Sequence, residues 1–172
     1  MSLPQLRLDN QLCFLFHRIG RELNAAYRPL LADLGLTYSQ YLVMLCLWER
    51  DGLGVGELGD RLDLDSGTLS PLLRRLERAG LVRRERATSD ERRVTIRLTI
   101  GGRDLQKRAV GIPEAISRCI VDDEAGYEAM KAQLSDLAAR IALARGDGSG
   151  GGAQRQEQSP HRAYAIPAAR QT

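Results

Sequence analysis

The sequence predicts a mainly α-helical chain carrying one small β-hairpin, on three observations. Apolar residues recur at spacings of three and four along most of residues 9–144. Two short runs, Leu81-Val-Arg-Arg-Glu-Arg86 and Val94-Thr-Ile-Arg-Leu98, read as strands joined by the polar loop 87–93. Helix-starting and helix-stopping residues fall at the ends of the periodic segments.

Taken in order, Leu12, Leu15, Phe16, Ile19, Leu23, Ala26, Tyr27 and Leu30 place one apolar face on a helix over about 9–31, which Gly35 ends. Phe14 falls on the other side of that wheel and hints at a second buried surface. Thr37-Tyr-Ser-Gln40 is a capping box that opens a second helix, which stops at Asp51-Gly52. A short helix follows at about 56–62. The next is opened by Asp65 or Ser66 and closed by Gly80, with a stripe of Leu69, Leu72, Leu73 and Leu76. Pro71 either sits in its first two turns or kinks it. After the hairpin, Thr99 caps a helix that breaks or bends near Gly111 and Pro113. A last helix over about 123–144 carries Tyr127, Met130, Leu134, Leu137 and Ile141, a heptad seam suited to helix pairing. Residues 146–172 turn to Gly, Ser, Gln and Arg and are expected to form a disordered tail.

At 172 residues the chain suits one domain with a tail. Its net charge of +3 says little about partners, but its distribution says more. Between Arg74 and Arg93 eight arginines face four acids, the local excess that phosphate binding needs, although such runs are also common on solvated surfaces. No signal peptide is visible, and no apolar stretch approaches the ~20 residues of a membrane span. Three scattered cysteines do not form a secreted disulfide framework, so a cytoplasmic protein is expected. His17 and His161 do not make a metal site, since one Cys and one His are too few ligands for structural zinc. No cofactor is expected.

The order helix, helix, short helix, capped helix, hairpin, helix, helix is that of a winged helix-turn-helix flanked by helices from both chain ends. Asp90-Glu-Arg92 followed by Leu98-Thr-Ile-Gly-Gly-Arg-Asp-Leu105 resembles the wing motif and helix opening of the MarR family of dimeric transcriptional regulators. Four further segments resemble its OhrR subgroup, which senses organic hydroperoxides. They are Leu8-Asp-Asn-Gln-Leu-Cys13, Ala26-Tyr-Arg-Pro-Leu30, Gly35-Leu-Thr-Tyr-Ser-Gln-Tyr-Leu-Val-Met44 and Asp65-Ser-Gly-Thr-Leu-Ser-Pro-Leu-Leu73. The resemblance spans roughly residues 8–145. It implies a domain over 1–145, with a DNA-binding core at about 37–98 and dimerisation helices at about 9–31 and 99–145.

Cys13 lies at the edge of the first apolar stripe. If Asp9 caps the helix, the thiol is close to the positive end of the macrodipole, which favours the reactive thiolate. The other reading is a small buried apolar residue. The resemblance implies that Cys13 is the redox-sensing thiol and that Tyr27 and Tyr38 hydrogen-bond it. Interface packing is the alternative for both tyrosines. On one straight helix Cys13 and Tyr27 stand about 21 Å apart, so a Tyr27 that reaches the thiol must come from the partner subunit of a homodimer. Some subgroup members form an intersubunit disulfide with a second cysteine far down the chain. Cys119 is suitably placed to be that resolving thiol, or is a buried structural one. Cys46, within Leu45-Cys-Leu-Trp48, is expected in the core.

The helix over 65–80 would enter the major groove of double-stranded DNA. Asp65, Ser66, Thr68 and Ser70 lie on its N-terminal half, and Arg74 and Arg75 reach for guanine or backbone. Arg84 and Arg86 are phosphate candidates. The resemblance implies that Arg92 enters the minor groove, with Asp90 orienting neighbouring arginines. A two-fold dimer calls for a pseudo-palindromic operator with half-sites roughly 34 Å apart. Three functions compete: a repressor that releases DNA when an organic hydroperoxide oxidises Cys13, a MarR-type repressor released by a small aromatic ligand, and a thiol peroxidase, which would leave the arginine-rich wing unexplained.

Overall fold

The computed structural model describes residues 3–87 and 90–144, with the backbone alone at 86, 87 and 90–93. The expected tail at 146–172 lies outside the described residues. The chain divides into two compact units at Ile112/Pro113.

In the first unit, 3-10 turns at Pro4–Leu6 and Leu8–Asn10 lead into α1 (Leu12–Ala32). Asp9 belongs to the second of these turns, and the N-cap position falls to Gln11, which makes no side-chain capping bond. The expected start at residue 9 is therefore three residues early. Gln11 Nε2 instead donates back to the Gln5 carbonyl at 2.7 Å, fastening the 3-10 turns to the helix start. α1 ends where Leu36 N–H reaches the Leu31 carbonyl at 3.2 Å, with Gly35 at φ +65 making the turn.

α2 (Tyr38–Glu49) opens on the predicted capping box. Thr37 Oγ1 accepts from Gln40 N–H, and Gln40 Oε1 accepts from Thr37 N–H at 2.9 Å. β1 (Leu53–Gly54), α3 (Val55–Leu62), a turn with Asp63 at φ +52, and α4 (Ser66–Arg78) follow. Asp65 is the N-cap of α4, its Oδ1 accepting from Thr68 N–H at 2.8 Å. At the other end Gly80 N–H bonds the Glu77 carbonyl and Leu81 N–H the Leu76 carbonyl, a paired closure that needs the left-handed conformation at Gly80. Pro71 sits in the second turn without ending the helix. The carbonyl it leaves without a helical partner belongs to exposed Gly67, where water can serve instead.

β2 (Val82–Ala87) is shifted by one residue from the run predicted, and β3 (Asp90–Leu98) begins four residues earlier than predicted, so their loop is shorter. The expected hairpin is also one strand short. β1 pairs antiparallel with β3, Leu53 opposite Ile96, which gives a three-stranded sheet in the order β1-β3-β2. A two-residue strand has no periodicity to detect. α5 (Ile100–Ala109) starts at Thr99, whose Oγ1 accepts from Gly102 N–H at 3.0 Å and donates to the Gly80 carbonyl at 2.6 Å. The unit's core gathers Leu31, Tyr41, Met44, Leu47, Leu53, Leu58, Leu69, Leu73, Leu76 and Ile96, each almost wholly removed from water.

Two further contacts tie the sheet and α5 to α2. Trp48 Nε1 donates to the Gly102 carbonyl at 2.8 Å. Asp51 Oδ1 accepts from Leu98 N–H at 2.8 Å at the end of β3. Gly102 is obligatory because a Cβ there would lie 2.1 Å from the Leu81 carbonyl oxygen.

α6 (Ile112–Ile120) begins at the unit boundary, after the break expected near Gly111 and Pro113. In the second unit α7 (Glu124–Ala144) follows, its first turn held by Asp123 Oδ1 accepting from Gly126 N–H at 2.7 Å. No residue of α7 is buried: of the predicted seam, Met130, Leu134 and Ile141 are exposed and Tyr127 and Leu137 half-buried.

Candidate DNA-reading face and thiol site

α4 has two faces with different fates. Leu69, Leu72, Leu73 and Leu76 are buried, fixing its rotation about its own axis. What this rotation leaves outside is Ser66, Gly67, Thr68, Pro71, Arg74, Arg75 and Arg78, all exposed, with Ser70 half-buried. Arg74, Arg75 and Arg78 have no acidic partner among the described residues, so three fixed positive charges project from one helix face. That is a surface suited to a groove lined with phosphates.

Two of the expected DNA contacts have internal employment. Asp65 accepts from both the backbone and the hydroxyl of Thr68, at 2.8 and 3.0 Å. The Thr68 N–H, then its hydroxyl, hold the Asp65 carboxyl below its ordinary value, since both bonds favour the charged form. Arg84 lies on β2 with its Nε 3.4 Å from Glu77 Oε2 on α4. It is thus engaged within the protein, where the sequence suggested a phosphate contact. Arg86, Asp90 and Arg92 take backbone places in the wing strands, with Arg86 opposite Val94, but their side chains lie outside the described residues.

The thiols are dispersed. Cys13 is exposed in the first turn of α1, beside the exposed apolar residues Leu12, Leu15, Phe16 and Ile19. Cys46 is buried in the core, and burial pushes its thiol up from the ordinary value, which suits an inert residue. Cys119 is exposed on α6, where its Sγ donates to the Ala115 carbonyl at 3.4 Å, so the buried reading of this residue fails.

Tyr27 and Tyr38 come together, their ring centroids 4.6 Å apart, with Tyr41 at 5.9 Å from Tyr27 and Trp48 at 6.1 Å from Tyr41. Burial pushes the Tyr38 hydroxyl up, so it stays a proton donor. Cys13 and Tyr27 occupy the same continuous helix fourteen positions apart, or about 21 Å along its axis. Tyr41 and Trp48, which no motif in the sequence singles out for the site, stand beside the two tyrosines.

A helix-turn-helix whose last helix shows a basic face, followed by an antiparallel hairpin, defines a winged-helix DNA-binding protein. Residues 36–94 match the MarR family. The chain is 50% identical over 111 residues to the organic hydroperoxide resistance transcriptional regulator of Bacillus subtilis (strain 168), a match covering 64% of this chain and 76% of that one. Among solved structures it is similar to reduced AbfR bound to DNA, with a TM-score of 0.71 and 39% identity, over 83% of this chain and 98% of that one. It is also similar to disulfide-formed AbfR, with a TM-score of 0.55 and 43% identity, over 78% of this chain and 94% of the other. AbfR is a protein of Staphylococcus epidermidis. The chain belongs to the MarR family of DNA-binding transcription regulators, a family of regulators and not of enzymes. No helix among the described residues is long and apolar enough to cross a membrane.

Proposed function

We propose that this regulator is a cytoplasmic homodimeric repressor that releases a pseudo-palindromic operator when an organic hydroperoxide oxidises Cys13. The observation that carries the reading is the setting of that thiol: exposed, in a helix first turn, on a helix whose neighbouring apolar residues are left uncovered. A second copy packed on that face, its α1 antiparallel, would bring its Tyr27 and Tyr38 to the thiol that the same subunit's Tyr27 cannot reach. Two phenol donors would then stabilise the thiolate and orient the peroxide.

The chemistry is balanced. The Cys13 thiolate attacks the outer peroxide oxygen, the O–O bond breaks, and the alkoxide leaves as an alcohol after taking up a proton. The sulfenic acid at Cys13 then condenses with the Cys119 thiol of the other subunit, forming an S–S bond and releasing water. The similarity to a hydroperoxide-resistance regulator and to a protein solved with its disulfide formed supports this sequence. Either oxidised form would shift the dimer away from its DNA-competent shape.

The test titrates the full chain, bound to a duplex from its own upstream region, with about one equivalent of an organic hydroperoxide. Dithiothreitol follows, with Cys13→Ser and Cys119→Ser alongside. Release that dithiothreitol reverses and that Cys13→Ser lacks is the expected result. A thiol-reversible covalent dimer absent in Cys119→Ser identifies the resolving residue. Binding indifferent to peroxide overturns the redox reading and leaves release by a small aromatic ligand.

A further inference from the structure

A winged helix must touch two grooves at once, so the angle between its reading helix and its wing has to be fixed before DNA arrives. Freedom at that joint would be lost on binding and would weaken affinity. One cluster spans the joint between α4 and β2. Glu77 Oε1 accepts from the backbone N–H of Arg84 at 3.2 Å. The other carboxylate oxygen lies 3.4 Å from Arg84 Nε. Arg84 Nη2 reaches back to the Ser70 carbonyl at 3.5 Å, two turns nearer the start of α4. One carboxylate on the reading helix thus holds both the backbone and the side chain of the first wing strand.

Charge points the same way. A carboxylate on a helix that enters a groove is repelled by phosphates unless a cation neutralises it, and Glu77 is exposed on α4 between Arg74 and Arg78. We propose that Glu77 is the positioning residue that sets the angle between reading helix and wing, with Arg84 as its partner inside the protein rather than a phosphate contact. The clamp is partly exposed, the two side chains keeping 33% and 40% of their surface, so it acts on geometry more than on stability.

The assignment is tested on the full chain under dithiothreitol, so the outcome is independent of any thiol chemistry. Affinity for the upstream duplex is measured across a salt series for wild type, Arg75→Ala, Arg84→Ala, Glu77→Ala, Glu77→Gln and the Glu77→Ala/Arg84→Ala pair. Arg84→Ala should weaken binding about fivefold with the slope of log affinity against log salt unchanged, whereas Arg75→Ala should reduce that slope by about 0.9, the value of one lost phosphate contact. Glu77→Ala should weaken wild type, and should weaken the Arg84→Ala variant less, since only the bond to the backbone N–H of residue 84 is left to lose there. Glu77→Gln, which keeps an acceptor for the backbone N–H, should fall between wild type and Glu77→Ala. Thermal melts report whether each variant is folded. A slope reduced by about 0.9 in Arg84→Ala, or tighter binding by Glu77→Ala in the wild-type background, makes Arg84 a phosphate contact and overturns the proposal. Unchanged affinity in both single variants overturns it too.

Discussion

α4 and α1 are both amphipathic, yet the first unit treats them in opposite ways. α4 has 13 residues and buries four leucines, while α1 has 21 residues and buries Leu31 alone. Each buried leucine contributes about 1.5–3 kcal/mol, so α4 is fixed by its own chain. The N-terminal half of α1 presents Leu12, Leu15 and Ile19 at 62%, 44% and 60% exposure. Under the proposed homodimer, this exposed apolar stripe is the face on which the second copy packs. The same sequence pattern thus accompanies a buried stripe in one helix and an uncovered one in the other. Only the packing of the rest of the unit tells them apart.

The sharpest way to break this contrast is to truncate one apolar residue from each helix. Leu73→Ala, at 1% exposure, should cost about 2–5 kcal/mol in urea unfolding, because it removes contacts and leaves a cavity. Ile19→Ala should cost under about 0.5 kcal/mol in a dilute sample and more where copies associate. An Ile19→Ala cost that matches Leu73→Ala and ignores concentration would abolish the distinction.

Next in size is Gly102→Ala. The added methyl meets the Leu81 carbonyl and must push α5 from the end of α4, at about 1–3 kcal/mol. A wild-type melting temperature would show that this junction is softer than its geometry.

The smallest effect concerns the cap of α4, which has no counterpart at the start of α1. Asp65→Ala should lower the melting temperature by less than either core change, because it removes one capping bond at the helix start. The Asp65 carboxyl is held low in the folded chain, so folding releases protons from it as pH falls through this range. Its contribution is therefore complete above the ordinary carboxyl value of 3.8 and fades as pH falls below it. The stability difference between wild type and Asp65→Asn should shrink on the acid side of that value. A difference independent of pH would remove the charge from the cap.

Much of the fold was legible because its signals are local. The Thr37–Gln40 box, the Thr99 cap, Gly80 and the leucine stripe of α4 each act within a few residues and are readable in their own segments, while the cap of α4, open in the sequence between Asp65 and Ser66, falls to Asp65. What escaped depends on residues distant in sequence. β1 exists because Leu53 lands opposite Ile96, and Trp48 finds a carbonyl 54 positions away. The start of α1 was misplaced because Asp9 looks like a cap, while the 3-10 turns held by Gln11 and Asn10 delay the helix to Leu12. At the site, the exposed face of α4 followed from its periodicity. The capture of Arg84 by Glu77 did not, since seven positions across a turn carry no pattern.

Trp48 is the sole tryptophan of the chain, and its indole is hydrogen-bonded where α2 meets α5. Its ultraviolet emission is therefore a label-free optical gauge of that junction. Any event that draws α5 from α2 should change the colour and intensity of a single fluorophore, so that DNA engagement, ligand response and unfolding can be followed in one cuvette.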